Sequence, residues 1–356
     1  MVRLVVLPLL VLSMATPARA RKPDSSRNAH PRSSKTASHS SGKSPGSRKP
    51  AAHHEEHERP VSTFTRSGGP NIQAEAAVVV DLRTGEELYS KRPDDVRPIA
   101  SISKLMAMIV VIERRLDLDG ITEMRPSDRD LAKHGARSRL PTGMKFTNRD
   151  LLHAALMASD NRAVPALGRA VGLDPDGMTQ AMNEKARELG LRHTSFGDPT
   201  GLDDRNRSTP RELAKVLKVA IHVPLIAEIT RKAKYLARSV DKPGYTVEYE
   251  NTDLVARGGR FEVLTGKTGY TDLAGYCLAI AAHLPEELGN RDVAMVFLGE
   301  AGKLTRFGDF GRAAQWIAEK RARPPEAPAA PASSPIPVLA PALAAEPTAV
   351  PAIISN

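Results

Sequence analysis

The chain has a single cysteine in 356 residues. One thiol excludes an internal disulfide. Cys277 lies in the strand-like apolar run "AGYCLAIAAHL" and reads as a small buried hydrophobe rather than a nucleophile. There is no internal repeat, and no apolar run of comfortable membrane-spanning length. The nearest, in "MVRLVVLPLLVLSMATPARA", is short and interrupted by Pro8. Its basic start, short apolar core and small-x-small ending make it a secretory signal peptide, residues 1–20, cut after Ala20. The expected location is therefore the periplasm or cell envelope, with no transmembrane anchor after cleavage.

Both ends lack the apolar residues a core needs. Residues 21–67 are rich in Ser, Lys, Arg, Pro and His and are expected to form a disordered basic linker. Much of the formal net charge of +10 sits there. A solvated tether is the simpler reading, and electrostatic contact with an anionic cell envelope is the functional one. Export argues against a nucleic-acid partner. Residues 323–356 form a Pro/Ala-rich tail in which recurrent proline prevents a helix or an amphipathic anchor. Residues 68–322 remain, enough for one catalytic-sized domain of roughly 250 residues. The string "HHEEHE" puts His53 and His57 four apart, but His54 stands where a zinc-protease helix needs glutamate. It reads as a chance polar run, so no metal or cofactor is expected.

Within that domain the order of patterns is two strands, several helices, three strands and a helix. "AEAAVVVDLRTGEELYSKR" is a hairpin about a turn at Arg83–Glu86. Ser101 to about Leu116 is a helix, apolar nearly all round and therefore buried. "FTNRDLLHAALMAS" has Thr147 as N-cap, with Phe146 placed to staple onto Leu151. "STPRELAKVLKVAI" has Thr209 as N-cap, with Glu212 placed to close a capping box. "GMTQAMNEKARELG" is a third helix, ending at Gly190. "FEVLTGKTG", "LAGYCLAIAAHL" and "RDVAMVFLGEA" are strands joined by short turns. A last helix carries Phe307, Phe310 and Trp316 on its apolar side. Non-alternating order predicts an α+β fold with an antiparallel five-stranded sheet flanked by helices.

Three short motifs carry chemistry. In Ser101-Ile102-Ser103-Lys104, residues three apart share a helical face, which pairs Lys104 with Ser101 rather than with Ser103. Ser101 also stands at the helix start, where free N–H groups favour a developing anion. A serine hydroxyl needs a base to become a nucleophile, and a buried lysine can be one if desolvation keeps it neutral. Ser159-Asp160-Asn161 interrupts a helical block. Lys267-Thr268-Gly269 lies on a late strand, where Gly266 and Gly269 leave one edge bare enough for a substrate backbone to pair as an added strand. Each motif alone is an ordinary cap, turn or strand. Together and in this order they are the established signature of class A β-lactamases and penicillin-binding proteins.

From about Ala74 to Ala322 the chain resembles the low-molecular-mass penicillin-binding proteins, the serine D-alanyl-D-alanine peptidases. "RPIASISKLMAMIVV", "LLHAALMASDNRA", "SFGDPTGLDDRNRSTPRELAK" and "LTGKTGYTDLAGYCL" carry the likeness. It is most similar to the type-7 proteins, which act as D,D-endopeptidases on cross-linked peptidoglycan. The resemblance implies a serine β-lactamase/D,D-peptidase-like fold, with peptidoglycan peptides and β-lactams as ligands. It implies that Ser101 forms an acyl-enzyme, Lys104 is its base and Ser159 relays a proton to the leaving amine. Asn161 would hold the substrate amide, and Lys267 and Thr268 its terminal carboxylate. The N–H groups of Ser101 and Tyr270, beside Gly269, would form the oxyanion hole. Lys267 would also help keep Lys104 neutral by like-charge repulsion. The alternative is a serine β-lactamase, but the E-x-x-L-N loop of class A enzymes does not occur between Asn161 and Lys267.

Overall fold

The computed structural model describes residues 62–131 and 138–322. The signal-like segment, the "HHEEHE" string and the Pro/Ala tail lie outside the described residues. Ser62–Ser67, assigned to the linker from sequence, are tied to the domain. Phe64 bridges Pro70, and Trp316 Nε1 donates to the Gly68 carbonyl at 3.1 Å.

The early hairpin forms where expected. Strand β1 (Ala76–Asp81) and strand β2 (Glu87–Lys91) pair antiparallel. Their turn is fixed by Asp81, whose Oδ1 accepts from the N–H groups of Arg83 and Thr84, and by Gly85 at φ +76°. A second hairpin, strand β3 (Lys234–Arg238) with strand β4 (Thr246–Glu250), was not anticipated. Its cue was the alternation in "TVEYE", buried at Val247 and Tyr249 only. Strands β5 (Glu262–Thr271), β6 (Gly275–Leu284) and β7 (Arg291–Glu300) complete the main sheet. Its order is β2-β1-β7-β6-β5, antiparallel throughout. This is the expected five-stranded α+β arrangement, and it leaves β5 at an edge.

Helices cover both faces. On one lie α1 (Ser103–Glu113), α2 (Asn148–Leu156), α3 (Ala163–Ala170), α4 (Pro175–Glu188), α5 (Pro210–Ile221) and α6 (Pro224–Arg231). On the other lies α7 (Thr305–Ala322), with Phe310 buried and Phe307 and Trp316 packed against its cluster. Every residue of α1 from Ser103 to Val111 is buried, which explains why its sequence has no polar face. The helix expected over 101–116 is shorter. A 3-10 turn, Ala100–Ile102, precedes it, and Arg115 at φ +57° lies just beyond its end. No helix among the described residues is long and apolar enough to cross a membrane.

Two caps act as expected: Thr147 accepts from Asp150 N–H and Thr209 from Glu212 N–H, both at 3.1 Å. Phe146 and Leu151 are buried in one core. Glu212, however, does not reach back to close a capping box. Its carboxylate turns outward from the helix start to accept from His193 N–H at 3.0 Å and Thr194 Oγ1 at 2.6 Å. A buried carboxylate gains more from these preceding-loop donors than from one cap N–H.

Candidate active site

The chain reaches Ser101 through a tight turn. Arg97–Pro98 pairs with Arg207–Ser208, and Ile99 N–H donates to Asn206 O at 3.0 Å. Ala100 then adopts φ +48°, a left-handed conformation that costs an L-residue about 1–2 kcal/mol. Two glycines hold that turn. A Cβ on Gly201, itself at φ +86°, would lie 2.1 Å from Ala100 O, and one on Gly269 would lie 2.7 Å from Ile99 O. Glycine is required at both positions because two backbones close on a third. Gly266 likewise faces Asp253 Oδ2, at 3.0 Å from where its Cβ would stand. The bare edge attributed to Gly266 and Gly269 is therefore filled by the protein itself. The glycines serve close packing, while the freedom of β5 comes from its edge position.

Ser101 and Ser103 have different tasks. Ser103 is buried, donates to Ala100 O at 2.8 Å and accepts from Asn206 Nδ2 at 2.9 Å. It fastens the turn to the 197–206 loop. Ser101 is partly exposed, and its Oγ lies 2.7 Å from Lys104 Nζ. The pairing with Lys104 is as expected, although Ser101 belongs to the 3-10 turn and Lys104 to the first turn of α1.

Lys104 is 0% exposed. Besides Ser101, its Nζ lies 2.7 Å from Asn161 Oδ1 and 2.5 Å from Thr200 O. Both of these oxygens only accept. A neutral amine satisfies them with its two N–H bonds and turns its lone pair to the Ser101 hydroxyl. Burial lowers the amine to about 7, against the opposing pull of the Asp198 and Asp160 carboxylates. The expected contribution of Lys267 to this is secondary. Burial is the leading cause, and like-charge repulsion shows on the other partner: Lys267 is held well below the ordinary lysine range by burial and then by the Lys104 charge.

The second motif is a strained turn between α2 and α3. Ser159 has φ +59°, and its partly exposed hydroxyl makes no hydrogen bond among the described residues. Asp160 fixes the turn by accepting from Arg162 N–H at 2.9 Å and Ser138 Oγ at 2.7 Å. Asn161 is buried beside Lys104.

The third motif lies on β5. Lys267 is 1% exposed and donates to Thr268 O at 2.9 Å. Thr268 Oγ1 donates to Thr252 Oγ1 at 2.8 Å, and Thr252 in turn bonds Met157 O at 3.2 Å. Thr252 thus links the second and third motifs. Neighbouring Asp253 is buried with Oδ2 unpartnered, and desolvation raises it to about 6. The Tyr270 side chain is 48% exposed and stacks on Tyr276 at 4.3 Å between ring centroids.

The geometry brings Ser101, Lys104 and Asn161 into direct contact, with Gly269 packed on the Ser101 turn. Asp198, Thr200 and Asn206, which no motif marks, complete the frame. Asp198 accepts from Thr200 N–H at 2.9 Å, from the Thr200 hydroxyl and from Gly201 N–H at 2.9 Å, so it presents the Thr200 carbonyl to Lys104. Asn206 bonds Gly197 N–H, Asp198 N–H and O, and Ser103. The Gly/Asp/Pro density of "GDPTGLDD" marked a loop, but a role carried by a backbone carbonyl leaves no side-chain signature. A cavity of about 720 Å³ between the 254–261 segment and α7, lined by Leu254, Phe261, Phe307 and Phe310, includes none of the candidate residues. The site is an open sheet edge instead.

Residues 63–301 match the family profile described as D-alanyl-D-alanine carboxypeptidase. The chain is 36% identical over 264 residues to the D-alanyl-D-alanine endopeptidase of Escherichia coli K12, covering 74% of this chain and 83% of the relative. It is 35% identical over 243 residues to the D-alanyl-D-alanine endopeptidase of Pseudomonas aeruginosa, covering 68% and 76%. Among solved structures it is similar to the Streptomyces K15 DD-transpeptidase, with a TM-score of 0.63, 26% identity, and coverage of 70% of this chain and 98% of that one.

Proposed function

Because this chain belongs to the D-alanyl-D-alanine carboxypeptidase family of serine hydrolases, we propose that Ser101 is the residue acylated when it cuts a D-alanyl-D-alanine bond in peptidoglycan stem peptides. The carrying observation is the 2.7 Å separation of Ser101 Oγ from Lys104 Nζ, with two acceptor-only oxygens occupying the rest of the amine. Lys104 takes the hydroxyl proton as Oγ attacks the carbonyl carbon of the first D-alanine. The oxyanion sits between the N–H groups of Ser101 and Tyr270, where fixed donors contribute most to such reactions. As the C–N bond breaks, Ser159 passes a proton to the departing amine. Water then hydrolyses the ester. Asn161 orients the substrate amide. Lys267 and Thr268, on the free edge, receive the carboxylate beyond the scissile bond.

Two of the relatives are named endopeptidases, which favours cleavage of the D-alanyl cross-link between stems over trimming of a terminal D-alanine. Mass spectrometry of products from a cross-linked dimer and a monomeric pentapeptide, side by side, tests this. Faster release from the pentapeptide would reverse the preference. A fluorescent penicillin is expected to leave a long-lived adduct on the wild type and none on Ser101→Ala. Rapid drug turnover would instead restore the β-lactamase alternative, which the engagement of Glu212 in the 193–194 loop does not favour.

The signal-like start motivates an exported, periplasmic placement. Recovery of the chain uncleaved in the cytoplasmic fraction would refute it. The basic segment before Ser62 reads as a solvated tether, with contact to the anionic envelope as its functional alternative. Sacculus binding that persists unchanged in high salt, or after deletion of the linker, would count against that contact.

A further inference from the structure

Arg306, the second residue of α7, has no obvious reason to be charged. It is 5% exposed, packed over the rings of Tyr276 and Phe307 at 5.3 and 5.0 Å, and has no carboxylate partner within 4.0 Å among the described residues. Asp253 and Glu300 act on it electrostatically but neither bonds it, and a buried cation without a bonded carboxylate is costly unless something else uses it. Its Nη1 donates to two backbone carbonyls, Gly269 O at 3.0 Å and Cys277 O at 3.2 Å. Gly269 and Cys277 are directly opposite in the β5–β6 pair.

The identity of one peptide matters. Gly269 C=O and Tyr270 N–H belong to the same trans peptide unit and so point in opposite directions. Gly269 C=O faces the β6 side, next to Cys277 O and the guanidinium. Tyr270 N–H therefore faces the free edge of β5. Thr268 O, which takes the Lys267 amine, alternates with Gly269 O along the strand and lies on that same outer edge. The Ser101 amide stands over the same residue, 3.2 Å from where a Gly269 Cβ would be. A cation on the carbonyl oxygen withdraws electron density through the amide and makes the N–H at its other end a stronger donor. It also fixes the peptide plane, so that the donor does not swing as the carbonyl of the substrate becomes tetrahedral.

We propose that Arg306 is a positioning residue for the oxyanion hole, acting from behind the sheet by polarising and locking the Gly269–Tyr270 peptide. The inference rests on the acylation of Ser101 proposed above. It predicts that Arg306 contributes to the transition state and little to substrate capture, because both carbonyls are engaged before substrate arrives.

The test compares wild type with Arg306→Gln and Arg306→Lys, each first shown to be folded by its thermal transition. With a peptide substrate, Arg306→Gln is expected to lower kcat about tenfold with KM nearly unchanged. That is less than the roughly hundredfold loss when a whole oxyanion donor is removed. The reporting measurement is the infrared carbonyl band of the acyl-enzyme formed with a carbonyl-labelled penicillin. The band should move to higher frequency in Arg306→Gln and part of the way in Arg306→Lys, which keeps the cation but loses the planar fork. An unshifted band in both variants overturns the proposal, as does a loss confined to substrates that keep their terminal carboxylate. The latter would make Arg306 a carboxylate ligand. If the wild type itself forms no acyl-enzyme, the function reading fails first. A normal wild-type adduct with unshifted variants removes only the role of Arg306.

Discussion

The acylation rate should follow the protonation of Lys104. Its amine titrates near 7 because burial, outweighing two nearby carboxylates, disfavours the cation. Only the neutral amine can accept the Ser101 proton. With a midpoint of about 7, roughly 3% of the amine is neutral at pH 5.5 and about 97% at pH 8.5, so the rate should rise about 30-fold and then level off. A solvated lysine, at 10.5, would give a different curve: tenfold per pH unit, about a thousandfold over the same interval, with no plateau. The assay is the second-order rate of covalent labelling by a fluorescent penicillin across that range, with each pH point normalised to total active enzyme. Asp160→Asn removes a carboxylate that favours the charged amine and should move the midpoint down. A flat profile, a rise without a plateau up to pH 9, or an upward shift in Asp160→Asn would each refute the assignment of Lys104 as a buried, mostly neutral base.

Other substitutions test the frame around the pair. Gly201→Ala places a Cβ against Ala100 O at a position of positive φ; thermal unfolding should report a loss of at least about 3 kcal/mol, with labelling abolished or greatly slowed. Wild-type stability there would mean the loop is not packed on the nucleophile turn. Ser103→Ala should keep labelling within about tenfold of wild type and cost about 1–2 kcal/mol, because Asn206 Nδ2 loses its acceptor; a loss of labelling equal to that of Ser101→Ala would contradict the distinct roles of the two serines. Asp253 is raised from 3.8 to about 6 by burial, so folding favours its protonated form. Its contribution is complete below pH 3.8 and is lost as pH rises through 6. Asp253→Asn, a neutral mimic that can still cap, should therefore be more stable than wild type at pH 7 by up to about 3 kcal/mol, and equal to it below pH 4. Chemical denaturation at the two pH values decides it.

Much of this was readable from local pattern. The period of three between Ser101 and Lys104, the apolar length of α1, the capping threonines 147 and 209 and the three late strands all depend on near neighbours in sequence. What escaped depended on distant chain segments. Nothing in "DPTG" says that the Thr200 carbonyl will cap a lysine 96 positions earlier. The glycines at 266 and 269 were correctly noted as bare, but sequence could not say whether a substrate or the protein's own Ile99–Ser101 turn would occupy the space. Glu212 fitted a capping box by spacing and was taken by stronger donors in the 193–194 loop. The β3–β4 hairpin, and with it Thr252, was missed because its alternating half is short and its partner strand is mostly exposed.

The contacts that hold the proposed nucleophile, its base and their turn join residues 57, 96 and 103 positions apart. During synthesis, Ser101 and Lys104 emerge together and early, but neither Asn161 nor the Thr200 carbonyl is yet available to set the amine. The peptide at 269–270, proposed to face the oxyanion, comes later still, and Arg306 last. On the proposed mechanism, a nascent or half-folded chain therefore carries Ser101 in an inert form. Closure of such long loops is among the slower events of folding, so covalent capture by a penicillin would report completion of the fold rather than the mere presence of the serine.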